Sequence, residues 1–93
     1  MRLVLIDWQD SFGCSSSWQE IEECKPQVMT CQSVGWLIYD GDDCKVVVPH
    51  LSTQQPEIQP QGCGDMTIPA RAIIRIVELE IPVGSNGAAT LKA

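Results

Sequence analysis

Apolar and polar positions alternate along most of this chain with the two-residue period of β-strands. In residues 2–8, Arg-Leu-Val-Leu-Ile-Asp-Trp, that period puts Val4, Ile6 and Trp8 on one side and Leu3 and Leu5 on the other. This predicts a first strand over 2–8. Residues 9–17 are rich in Ser, Asp and Gly and predict a loop. Ser17-Trp18-Gln19-Glu20 has the spacing of a capping box, which predicts a short helix from Trp18 to about Cys24, ended by Pro26. Trp18 and Ile21, three residues apart, would share the face that pins this helix to the sheet.

The strongest strand signal covers Val28–Tyr39, where Val34, Trp36 and Ile38 alternate with Gly35, Leu37 and Tyr39. A glycine inside a strand marks a bend or a close approach by another backbone. Asp40-Gly41-Asp42-Asp43 predicts a tight hairpin in which the Asp-Gly pair takes positive φ. The return strand is Cys44–Val48, stopped by Pro49. Residues 51–64 carry two prolines and two glycines and predict a long loop, functional or mobile. A short strand over 65–68, one helical turn over 69–72 and a last strand over 73–80 complete the pattern.

This order predicts a mainly β fold: a small five-stranded antiparallel barrel or strongly bent sheet of the SH3-like or Sm-like type, with one short helix after strand 1. The alternative is an open antiparallel sheet with the helix packed on one face. Residues 1–81 form a single domain on this reading, and 82–93 are expected to be a disordered tail. The first strand, Ser33–Tyr39 and Ile73–Leu79 carry apolar residues on both faces. A chain of 93 residues, which buries only about 60–65% of its unfolded surface, has too small an interior for both sets. Either the helix and loops cover the second face or copies of the chain cover it for one another, and a homo-oligomer is the expectation.

Charge narrows the functions. Twelve acidic residues against six basic give a net charge of −6. Duplex DNA and anionic membranes call for the opposite sign, so neither is an expected partner. No apolar run approaches a transmembrane length, and the four apolar residues before Asp7 are too few for a signal-peptide core. The five cysteines, at 14, 24, 31, 44 and 63, form no C-x-x-C, are odd in number and are expected to be free thiols in a reducing compartment. Cys31 and Cys44 fit strands as small buried hydrophobes.

No metal site or cofactor is expected. Asp40, Asp42 and Asp43 lack the spacing of a calcium loop. His50 has no nucleophile motif beside it, and no two carboxylates converge inside strands, so the chain is not expected to be an enzyme. The candidate binding residues are Trp8, Asp10, Trp18, Trp36, Arg71 and Arg75. Each also has a structural role to fill. The tryptophans would serve as core or as interface anchors. Asp10 would close an Asx turn or contact a ligand. Arg71 and Arg75 would pair with the surplus acids or clamp a phosphate.

Taken together, Trp8-x-Asp10-Ser11, Trp18 with its acidic helix, Ser33-Val34-Gly35-Trp36-Leu37 and Ile68-Pro69-x-x-Ala72-Ile73 follow one another in a recognisable order. The string resembles a family of small uncharacterised tailed-bacteriophage proteins over residues 3–80. The cysteines and the Gln/Pro-rich loop fall outside the shared pattern. The resemblance implies a phage protein made in the host bacterial cytoplasm and brings no activity with it. The expected function is therefore that of an accessory factor binding a host protein, possible roles being host takeover or anti-defence. The alternatives are an oligomeric binder of a small nucleotide signal and an Sm-like RNA binder.

Overall fold

The computed structural model describes residues 1–53, 57 and 59–82. Among these residues seven strands form: β1 (Arg2–Ser11), β2 (Val28–Asp40), β3 (Cys44–Val48), β4 (His50–Ser52), β5 (Gln61–Cys63), β6 (Met66–Pro69) and β7 (Ile73–Glu78). Five of them make one antiparallel sheet in the order β6-β3-β2-β1-β7. The mainly β, five-stranded antiparallel expectation therefore holds. Its closure does not: among the described residues no pairing joins β6 to β7, and the sheet stays open. Between these strands runs a 3-10 turn, Ala70–Ala72, whose first amide donates to the Asp43 carbonyl at 2.8 Å. It carries the chain from one edge of the sheet to the other without pairing them.

The first predicted helix shrinks to a single 3-10 turn, Ile21–Glu23. Its N-cap is Glu20, with no side-chain cap bond, so the capping box at Ser17 does not form. Trp18 and Ile21 lie open to solvent. A helix as short as the one predicted gains too few backbone hydrogen bonds to extend past this single turn without a packed face. The predicted 51–64 loop contains a second sheet, the small hairpin β4–β5. Gly64, at a φ of 81°, turns the chain from β5 into β6. The expected disordered tail, apart from Pro82, lies outside the described residues.

Register assigns the faces. Val4, Ile6, Leu37, Val47 and Ile68 meet on one side and are buried, with Trp8, Ile73 and Ile76 packed against them. Gly35 lies in this core strand for the reason anticipated. A Cβ there would come within 2.8 Å of the Val48 carbonyl oxygen, so β3 can close on β2 only over a glycine. The β2–β3 hairpin also forms as expected, although Gly41 does not take positive φ. Instead the Gly41 amide donates to the Cys44 carbonyl at 3.1 Å, and the Tyr39 ring occupies the space a Gly41 side chain would need.

Candidate interaction surface

The second face of the sheet carries Leu3, Leu5, Val34, Trp36, Val46 and Val77. Neither 3-10 turn covers it. The β4–β5 hairpin shields Val48, against which Gly62 lies, while Val34 and Val77 remain exposed. Among the described residues six hydrophobic side chains are buried and thirteen large ones are exposed, which is more apolar surface than an isolated domain ordinarily shows.

A row of polar groups crosses this apolar face. Gln32, Asp7 and Arg75 stand directly opposite one another on β2, β1 and β7. Gln32 Nε2 donates to Asp7 Oδ1 at 2.8 Å and Arg75 Nε donates to Asp7 Oδ2 at 2.5 Å. Asp7 is the one buried charged residue described, and these two partners satisfy both of its oxygens. The hydrogen bond from Arg75, then that from Gln32, holds its carboxyl below the ordinary carboxylate range against the opposing effect of desolvation. The Arg75 side chain is otherwise largely exposed.

Another charged cluster sits at the far end of the sheet. Asp40 accepts from Lys45 and, at 3.0 Å, from Arg2, and these cations, Lys45 foremost, lower its pKa. Arg2 also lies 3.6 Å from Glu78. These exposed pairs tie strand ends together and contribute little to stability.

Beyond Trp8 only β1 and β2 continue, and they project as a ribbon from Gln9–Thr30 to Ser11–Val28. Residues 12–27 follow it, and the extents along the principal axes are 62 × 25 × 25 Å. Phe12, Trp18, Ile21, Val28 and Met29 are all exposed on this arm, and Trp18 is completely so. Asp10, Glu20, Glu22 and Glu23 accompany them, against the single base Lys25. Phe12, Cys14, Gln19, Glu23 and Lys25 line an open cleft in the segment beyond the ribbon.

The six candidate residues therefore do not converge. Trp8 belongs to the core, and its Nε1 donates to Ser33 Oγ at 3.0 Å. Trp36 and Arg75 share the second face but stand opposite Leu3 and Asp7, at separate points along β1. Trp18 is on the arm, so its expected core role is overturned. Asp10 bonds locally, its Oδ1 accepting from the Ser11 amide at 2.8 Å. Arg71 is exposed on the second 3-10 turn and shares no partner with Arg75. Arg75 takes the acid-pairing role through Asp7.

The residues that sequence reasoning passed over are Phe12, Ile21, Val28 and Met29. Ile21, Val28 and Met29 read as structural in the sequence, on the helix face and the long strand, and Phe12 is an isolated apolar residue of a kind common at surfaces. All five cysteines are free thiols, and Cys31 and Cys44 are half-buried rather than buried. Among the described residues no three His, Cys, Asp or Glu side chains gather as a metal site. No helix among them is long and apolar enough to cross a membrane. No protein-family model, curated protein or solved structure matches the chain.

Proposed function

We propose that this chain is a non-enzymatic phage accessory protein that binds a host protein through its projecting arm. The observation carrying this reading is Trp18, fully exposed beside Ile21 and flanked by Glu20, Glu22 and Glu23. A large exposed aromatic followed in sequence by acidic residues suits a partner with an apolar pocket in a basic surface. Its five free thiols fit the host cytoplasm. The strand order, with a 3-10 turn before the last strand, supports an SH3-like or Sm-like relationship. On this reading, affinity capture from host lysate enriches a basic protein with the wild-type chain and loses it with Trp18→Ala. Equal recovery by both chains removes the arm from the interaction.

A second reading rests on Arg75. With Nε held by Asp7 and the side chain largely exposed, Arg75 keeps guanidinium N–H groups with which to take the phosphate of a small nucleotide. A melting-temperature panel of mono- and cyclic nucleotides tests it, because a ligand of the folded state raises Tm. No shift with any of them rejects it.

A further inference from the structure

We infer that a second copy of this chain pairs antiparallel with the outer edge of β2 over Val28–Val34, about a two-fold axis at Cys31. This edge shares Val28–Thr30 with the base of the arm but does not include Trp18. β3 pairs with β2 only from Trp36 to Asp40. Val28–Val34 therefore has β1 on one side and no ladder partner on the other among the described residues. An edge left this way presents unpaired backbone amides and carbonyls to any matching strand. Natural edges are usually blunted by a charge, a proline or a bulge. Val-Met-Thr-Cys-Gln-Ser-Val has no charge and no proline, and its pairing with β1 runs without a register shift.

Charge confines contact with a second copy to an uncharged stretch. The chain carries net −6, so two copies repel wherever their acidic surfaces meet. Residues 26–39 form the longest stretch without Asp, Glu, Lys or Arg, and the free edge lies within it. The segment is also self-complementary. With Cys31 opposite Cys31 of the second copy, Thr30 meets Gln32, Met29 meets Ser33 and Val28 meets Val34. Directly opposed residues share a face in an antiparallel ladder, so apolar pairs with apolar and polar with polar on the second face. Exposed Met29 of the second copy then lands beside Ser33, at the mouth of a cavity of about 180 Å³ lined by Ser33, Val34, Val47 and Met66. The two-fold makes the contact closed, giving a dimer rather than a filament.

The register supplies the test. Light scattering on the full chain across a concentration series should give a mass twice that of the chain. V28K/V34K places lysines opposite lysines and should give the monomer mass, whereas V28K/V34E places Lys opposite Glu and should restore the dimer. Hydrogen exchange on the wild-type chain should show the alternate amides of residues 28–34 that point away from β1 protected at high concentration and released on dilution. That readout stands even if a variant fails to fold. A wild-type chain that remains monomeric throughout, a V28K/V34K dimer, or a V28K/V34E monomer that is folded overturns the proposal. So does exchange at 28–34 that ignores concentration.

Discussion

Arg75 on β7 donates from Nε to Oδ2 of Asp7 on β1 across 2.5 Å, joining residues 68 apart in sequence on an otherwise apolar sheet face. With Gln32 it lets a buried carboxylate stay ionised, and it fixes the β1–β7 register just before the bulge between Asp7 and Trp8.

The pH dependence follows from that pair. The folded-state pKa of Asp7 is depressed, so the unfolded chain binds more protons in the acid range. The stabilisation is complete above the unfolded carboxylate value of about 3.9 and is lost as pH falls through the lower folded value. Acid melts of the wild type should therefore lose stability below about pH 4. Arg75→Gln, which removes the charge, should melt lower at neutral pH and show a weaker fall. Identical acid limbs in the two chains would assign the fall to other carboxylates.

Ile6 and Ile21 test where the core lies. Ile6 is wholly buried and Ile21 almost wholly exposed. Ile6→Ala should cost about 2–5 kcal/mol in urea unfolding. Ile21→Ala should stay within about 0.5 kcal/mol, because it removes no packed contact. Comparable losses at both positions would mean that the 3-10 turn packs onto the sheet after all.

Gly35→Ala probes a close approach of two backbones. The added methyl meets the Val48 carbonyl oxygen and the Val47 side chain. β3 must move away, at a cost of about 1–3 kcal/mol. Urea unfolding gives the loss, and amide exchange in β3 should rise with it.

Thiol titration separates the cysteines by position. Cys14, Cys24 and Cys63 are exposed, whereas Cys31 and Cys44 are half-buried on strands. A chromogenic disulfide reagent should consume the first three quickly and the other two slowly in the native chain. All five should react together in denaturant.

The local pattern carried the sheet well. Period-two alternation located β2 within a residue at its far end and β3 completely, because a strand half-buried on a core shows its face directly in sequence. Gly35 was legible for the same reason, as a gap in an otherwise filled strand. The helix from Trp18 was not. Its capping spacing and acidic turn are local features, and a helix so short depends on a packed face that the tertiary structure does not supply. The hairpin β4–β5 was hidden in a polar segment, since its strands have three residues each and bury little.

Among the candidate site residues, residue type could propose Trp18 and Arg75 but could not place them. Trp18 was expected against the sheet and stands on an arm. Arg75 was expected to meet an acid, and only the β1–β7 register names that acid as Asp7. Pairing between distant strands depends on the whole sheet, whereas alternation along one strand depends on a few neighbours.

By itself the sequence determined an acidic, mainly β chain with a hairpin at Asp40–Asp43 and apolar residues on both faces of its strands. Those properties are set by composition and by the two-residue period of an extended backbone. The tertiary structure decided that the sheet stays open, that the second face is only partly covered, and that β2 leaves Val28–Val34 unpaired where β3 ends. Each follows from where strands stop relative to their neighbours, which distant contacts fix and no local pattern encodes.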